Sequence, residues 1–385
     1  MESRMSDRVA DVPPPAPSLK ERFLAFRDRM VADPRFRDWA ARFPLTRPLA
    51  RRRARALFDL NAGFVYSQIL AAAVRLGVFE ALREGPRPVP WLAQRLSLST
   101  DATIRLMEAA AALKLVAPRS GGRYGLGALG AALVDNPGVA AMVEHHALFY
   151  ADLAAPVALL RNPRGGTRLA RYWAYAGHAE AEALEAGAVG EYSALMAASQ
   201  PMIAAEILAA YDLSRHRRLM DVGGGEGAFL CAAGKRHPSL GLVLFDLPAV
   251  AERARARFAR EGLAARAEVH GGSFHSEGLP RGADAISLVR VVHDHDDAEA
   301  RALLRRVHAA LPPGGVLLLA EPMSGTPGAE PVGEAYFGFY LLAMGRGRPR
   351  RMEELQAMLR EAGFRDSRPL PTRTPMLTSL LLARA

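Results

Sequence analysis

The sequence predicts a doubly wound α/β domain of about 170 residues, preceded by a mostly helical, winged-helix-like half. Three observations predict it. From Arg218 onward, short apolar strands alternate with amphipathic helices. A glycine-rich run, Met220–Gly227, sits where the first strand turns into a helix. Before it, residues 88–126 read as helix, turn, helix and hairpin inside a longer helical stretch.

The elements follow in order. Residues 1–17 are short, polar and proline-rich, the composition of a disordered lead-in. Residues 18–43 have helical spacing (Phe23, Phe26, Met30) with a break near Pro34. An apolar helical stripe then runs from Leu57 to Leu82 through Phe58, Val65, Ile69 and Leu76, reading as core or dimer interface. Val89–Ala93 opens a helix, and Ser99-Thr100-Asp101 caps a second carrying Ile104, Met107 and Ala111. Gly121-Gly122 turns into the strand Arg123–Leu126. Residues 137–210 are helical again and rich in rings (His145, His146, Phe149, Tyr150, Trp173, Tyr192), with sparse charge, as an apolar cavity wall would be. Strands are expected at 219–222, 242–246, 267–270, 285–289, 316–320 and near 377–382, with helices at 228–236, 249–262, 297–311 and 351–362. Three regions result: an arm over 1–56, a helical region over 57–210, and the α/β domain over 211–385.

Composition narrows the function. The chain has 385 residues, 50% hydrophobic and 23% charged, which is globular and excludes wholesale disorder. Its lone cysteine, Cys231, excludes an internal disulfide or a cysteine-built zinc site, so a reducing cytoplasm is expected. Asn61, Ser67 and Gln68 interrupt the apolar stretch 60–74, which reads as too short for a membrane span, and no signal segment is expected. Of the 50 basic residues, 47 are arginine, a skew that a GC-rich genome explains. Their distribution says more: residues 1–60 hold 14 basic and 8 acidic side chains, +6 of the net +10. Residues 35–55 hold eight arginines against Asp38 alone, interleaved with Phe36, Trp39 and Phe43. Such an arm suits an anionic membrane, a nucleic acid or a partner, or is simply a solvated helix. In the winged-helix region Asp101 and Glu108 offset Arg105 and Lys114, which argues against DNA.

The chemistry gathers at strand ends. Met220-Asp221-Val222-Gly223-Gly224-Gly225-Glu226-Gly227 brings backbone and helix N-terminal amides to a ligand. Gly223, Gly225 and Ala228 also satisfy the dinucleotide pattern, but Asp221 two residues ahead suits a cationic amino acid moiety better than a pyrophosphate. Asp246, at the end of the second strand, can accept both ribose hydroxyls of an adenosine ligand of either kind. Ser273-Phe274 ends the third strand, where a side chain can edge the adenine. His293 follows the apolar strand 285–289 and Glu321 ends the next, which makes a general base with an orienting carboxylate. A metal held by His293, Asp294, His295 and Asp296, or by His145-His146, is disfavoured because consecutive residues rarely converge on one ion.

These residues resemble the plant-type S-adenosylmethionine-dependent O-methyltransferases, over roughly 57–385. The resemblance rests on the glycine loop, Phe245-Asp246-Leu247-Pro248, Gly272-Ser273-Phe274, His293-Asp294 and Glu321. It implies a Rossmann-like methyltransferase domain behind a winged-helix-like dimerisation domain, S-adenosylmethionine as cofactor, and a homodimer. By that likeness His293 is the base, Glu321 steers it and Asp294 assists. Ser199, Asp221, Gly223, Gly225, Asp246, Leu247, Ser273, Phe274 and Arg290 surround the cofactor. Tyr192, Met196, His145, His146 and Phe149 face the acceptor, and no metal is implied. Three positions depart from the pattern: His295 for tryptophan, Ser273 for aspartate, and Pro349 for a second glutamate.

More narrowly, Arg35–Trp39, Phe58–Leu70 and His145–Leu160 resemble the hydroxyneurosporene/demethylspheroidene O-methyltransferases of purple bacteria. That likeness implies a tertiary hydroxyl of an acyclic carotenoid as acceptor, and peripheral contact with the inner or photosynthetic membrane through the basic arm. Another apolar acceptor (a phenolic polyketide or a bacteriochlorophyll precursor) stays open, as does a winged-helix regulator keeping a nucleoside-binding domain.

Overall fold

The computed structural model describes residues 17–163, 166–173 and 200–385. The chain divides into two compact units, 1–70 and 71–385, with the boundary inside one long helix.

The first unit contains α1 (Leu19–Ala32), α2 (Pro34–Arg42) and most of α3 (Arg47–Arg75). Ser18 starts α1 through a reciprocal capping box with Glu21. Asp33 caps α2, with Pro34 at its first position, where a missing N–H costs nothing. The interruptions at Asn61, Ser67 and Gln68 do not stop α3, because neutral polar side chains are compatible with helix. By length and composition α3 is long and apolar enough to cross a membrane, with little of it buried; the shorter stretch expected from sequence is corrected here.

The second unit begins with α4 (Val78–Ala81), β1 (Arg87–Pro88), α5 (Val89–Leu96), α6 (Thr100–Ala112) and a hairpin of β2 (Val116–Arg119) and β3 (Arg123–Leu126). Ser99 caps α6 by accepting from Ala102 N–H, and β1 pairs with β3, completing the expected winged-helix arrangement. Four helices follow: α7 (Ala128–Ala131), α8 (Pro137–Leu153), α9 (Pro156–Arg161) and α10 (Arg168–Tyr172). After the undescribed stretch, α11 covers Gln200–Ala210.

The α/β part comprises β4 (Arg218–Val222), α12 (Ala228–Arg236), β5 (Gly241–Asp246), α13 (Pro248–Arg260), β6 (Ala267–Gly271), β7 (Ala285–Val289), α14 (Asp297–Ala310), β8 (Val316–Glu321), α15 (Gly338–Met344), α16 (Met352–Glu361), β9 (Ser367–Leu370) and β10 (Ser379–Arg384). Among the described residues the sheet runs β6-β5-β4-β7-β8-β10-β9, with every strand in the same direction except β10, which pairs antiparallel with both β8 and β9. Strand alternation feeds two cores. Met220, Val222, Val243 and Phe245 pack with Val307, Leu355 and Met358 on one face. Leu219, Leu242 and Leu244 pack with Ile207, Phe229 and Phe258 on the other. β9 lies outside the strands expected from the sequence; it accommodates Pro369 because it is an edge, where a missing donor is tolerated. The sheet order reverses between β4 and β7, which opens a crevice at the strands' carboxyl ends.

Candidate active site

The crevice is built from five strand ends. After β4, Gly223 and Gly225 take left-handed backbone conformations. A Cβ on Gly225 would meet nothing within 4 Å, whereas one on Gly224 would strike the carboxylate of Asp221 at 2.5 Å. The loop thus lies flat on Asp221 below and presents open backbone above. Asp221 is fully buried. Its Oδ1 accepts the Ser287 hydroxyl at 2.6 Å and its Oδ2 has no hydrogen-bond partner. Burial, moderated by Ser287 and aggravated by Asp246, pushes its carboxyl up to about 7.

Asp246 ends β5, and its two oxygens accept N–H groups from Gly225 and Leu247, both at 2.7 Å. Burial in the crevice pushes it up to about 6, against those two bonds. Leu247 is therefore held by its backbone. Beyond β6, the Ser273 hydroxyl accepts locally from His275 N–H and has no distant partner among the described residues. Phe274 packs edge-on to His295, with ring centroids 5.2 Å apart, so the histidine that departs from the family pattern still fills an aromatic position.

A carboxylate pair brackets His293. Glu321, buried at the end of β8, accepts N–H groups from Val291 (3.0 Å) and Val292 (2.7 Å) through Oε1. Its Oε2 bonds His293 Nδ1. On the other side, His293 Nε2 lies 3.1 Å from Asp294 Oδ1. Burial pushes the imidazole pKa down, but Asp294 and Glu321 outweigh it and raise the value above 6.5.

The loop carrying His293 is gripped from behind. Arg350, buried beside Pro349, donates to the carbonyls of Val292 and His295, each at 2.7 Å, and to Asp297 Oδ1 at 2.9 Å. Arg348 N–H bonds the His293 carbonyl at 2.9 Å. Arg350 was missed in the sequence, where it is one arginine among 47.

His293, Asp294 and Arg290 face a cavity of about 540 Å³ whose other walls include Val139, Met142, His146, Trp173, Met202, Ile203, Val332, Tyr336, Phe337, Tyr340, Met376 and Leu377. Tyr336 and Phe337 ride on a π-helical turn, Pro331–Phe337, a geometry common at functional sites. The polar atoms of this wall are paired with one another. Tyr336 OH bonds His146 Nε2 at 2.7 Å. Tyr340 OH bonds His145 Nε2 at 2.7 Å and accepts from Trp173 Nε1 at 2.9 Å. Burial holds His145 near 4 and lowers His146, while it pushes Tyr336 up to about 12 and Tyr340 well above 10. All four are therefore uncharged at pH 7. The aromatic run Tyr336-Phe337-Gly338-Phe339-Tyr340 was the unread signal for this wall.

Several expectations shift position. His145 and Phe149 lie a layer behind the cavity: His145 meets its wall through Tyr340 and Trp173, and Phe149 packs with Leu159, Leu169 and Trp173. Arg290, expected around a cofactor, lines the cavity itself, with φ of 59°. Such a backbone is uncommon for a side chain this large. Tyr192, Met196 and Ser199 lie outside the described residues. Among the described residues no three His, Cys, Asp or Glu side chains converge as a metal cage.

The residues suit a nucleoside carrying positive charge. An unsatisfied buried carboxylate oxygen on Asp221, a second carboxylate on Asp246 and open backbone at Gly225 lie together at the switch point of the sheet.

Residues 58–136 match the O-methyltransferase dimerisation domain, and residues 150–365 the O-methyltransferase domain. The demethylspheroidene O-methyltransferase of Cereibacter sphaeroides is 45% identical, over 92% of this chain and 93% of its own. That of Rhodobacter capsulatus is 42% identical, over 93% and 89%. Among solved structures, human N-acetylserotonin methyltransferase in complex with S-adenosylmethionine superposes with a TM-score of 0.70 at 27% identity, covering 86% of this chain and 97% of that one.

Proposed function

Because this chain belongs to the S-adenosylmethionine-dependent O-methyltransferases, we propose that the hydroxyl it methylates is the tertiary alcohol of an acyclic carotenoid. The observation that carries this reading is the cavity beside His293. It is large, almost wholly apolar, and apart from His293 the hydroxyls and imidazoles of its wall are spent on one another rather than offered to a ligand. A hydrocarbon end bearing one hydroxyl is the acceptor such a wall tolerates, since polar groups on a ligand would lie buried without partners. The carotenoid relatives, similar over nine-tenths of both chains, point the same way.

Their placement supports the following roles. Asp246 would take the ribose hydroxyls, Gly223 and Gly225 would face the rest of the nucleoside, and Asp221 would meet its positive end through the loop. When bound, S-adenosylmethionine supplies an electrophilic methyl group. His293 Nε2 takes the acceptor's proton, Glu321 holds Nδ1 and stabilises the imidazolium, and Arg290 stands at the cavity's polar end. Asp294 must release Nε2 before the acceptor hydroxyl can reach it. A tertiary alcohol is far too weakly acidic for an imidazole to ionise beforehand, even one whose pKa is raised as that of His293 is, so proton removal accompanies bond formation. Holding the oxygen in line inside a dry cavity supplies much of the rate.

The chain acts as a homodimer in this reading, consistent with the matched dimerisation domain and with Phe58, Phe64 and Val65 exposed along α3. It works at the cytoplasmic face of a membrane, where a carotenoid resides. Product analysis tests the acceptor: labelled cofactor with 1-hydroxy carotenoids should give methoxy carotenoids. Transfer only to phenols would replace this acceptor.

A further inference from the structure

We propose that residues 17–57 form a docking site for an anionic lipid bilayer, with exposed rings and aliphatic chains entering the interface and arginines meeting lipid phosphates. The inference specifies the membrane contact proposed above and rests on the first unit alone.

The arm lies before both matched domains, so neither the methyl-transfer nor the dimerisation match accounts for it. Twelve basic and four acidic side chains fall within residues 17–57, a net +8 against +10 for the whole chain. Its helices bury almost nothing of their own: none of α1 and only Ala40 of α2. Instead α1, α2 and the start of α3 surround an open groove of about 740 Å³. Phe23, Phe26, Leu49 and Leu57 line it and are 66%, 53%, 51% and 70% exposed. Arg27, Arg37, Arg51 and Arg53 border the same groove. Among the described residues Arg51, Arg52 and Arg53 have no ion-pair partner; Arg55 has Asp59 at 3.8 Å.

A second feature repeats this chemistry. Phe36, Trp39 and Phe43 form a ladder along α2, with centroids 5.6 and 5.0 Å apart, and Trp39 is half exposed. Arg35 and Arg42 flank Trp39 and Phe43. An amphipathic ring beside cations is what the headgroup level of a bilayer accepts.

Charge decides between possible occupants. A second copy would bring the same +8 against this one, which repels. A nucleic acid would pair the arginines but leave an apolar groove open to water. An anionic bilayer satisfies both: phosphates for the arginines and acyl chains for the groove.

Vesicle co-sedimentation of the full chain tests this, with about 30% phosphatidylglycerol in phosphatidylcholine against pure phosphatidylcholine. Wild type should sediment with the anionic vesicles at low salt, detach as salt rises, and ignore the neutral ones. Each surface arginine near the headgroups is worth about fivefold in binding, so Arg51→Gln/Arg52→Gln/Arg53→Gln should weaken it by about a hundredfold. These side chains are exposed, so helix content and S-adenosylmethionine affinity should not change. Trp39 emission should shift to shorter wavelength with anionic vesicles, a change absent from Trp39→Phe. No acceptor is present in these measurements, so they stand apart from the acceptor's identity. Absence of binding, equal binding to neutral vesicles, or undiminished binding by the triple variant each overturns the proposal. A changed oligomeric state with unchanged vesicle binding assigns the groove to a second copy instead.

Discussion

Glu321 ties His293 to its own loop: one carboxylate oxygen bonds the imidazole Nδ1, and the other takes the backbone N–H groups of Val291 and Val292. A single side chain thus fixes the ring's tautomer and the approach of the strand that carries it. Glu321→Gln keeps an acceptor for the backbone but removes the charge that favours imidazolium. It should lower kcat by about tenfold to a hundredfold, less than loss of the base itself, while leaving S-adenosylmethionine affinity within about twofold. Steady-state kinetics with calorimetry separates the two.

The raised pKa of His293 sets a pH dependence. As the proposed base, His293 must be neutral to act, so kcat/KM should climb with pH through a midpoint above 6.5. Glu321→Gln should move that midpoint down. For stability the sign is opposite: the bracketed imidazolium contributes fully below pH 6.5 and the contribution fades as pH rises through the folded-state value. A pH–rate profile with its midpoint at or below 6.5 contradicts the bracket.

The proposed ribose contact of Asp246 implies a pH-dependent cofactor affinity as well. Its carboxyl, pushed up to about 6, must be ionised to accept two ribose hydroxyls. Affinity for S-adenosylmethionine, measured by calorimetry, should be level above pH 7 and drop about tenfold per unit well below 6. Asp246→Ala should cost at least about tenfold at pH 8, since two hydrogen bonds to a charged acceptor are lost.

Arg350 is a positioning residue for the His293 loop. Arg350→Ala removes donors from two buried carbonyls and from Asp297, a carboxyl that Arg348 and Arg350 hold near 2. Leaving the two buried carbonyls without their donor costs about 2 kcal/mol or more of stability. Thermal denaturation should show it. The gentler Arg350→Lys should keep the fold and still lose kcat rather than cofactor affinity, because an ammonium cannot span both carbonyls.

Much of this was legible in the sequence because the signals are local. Strand periodicity, glycines at the first turn and carboxylates at strand ends placed β4 to β8, Asp246 and the His293–Glu321 pair. What escaped depends on distant packing. β9 looks unlike a strand until it is seen as an edge. The continuity of α3 outlasts its polar interruptions. The cavity wall joins α8 to the Tyr336–Tyr340 segment, about 190 residues away, through ring hydrogen bonds that no spacing encodes. Adjacent histidines 145 and 146 also part company there, since neighbours on a helix point different ways: only His146 reaches the cavity.

The central claim is that His293 removes the proton from the acceptor hydroxyl in the apolar cavity. Its most direct test is His293→Ala, assayed with labelled S-adenosylmethionine and a 1-hydroxy acyclic carotenoid, alongside calorimetric cofactor binding. The account predicts a fall in turnover toward the upper end of about 10²–10⁴-fold, with cofactor affinity nearly unchanged. A variant that keeps more than about a tenth of the wild-type rate would show that positioning alone drives the transfer, and His293 would not be the base.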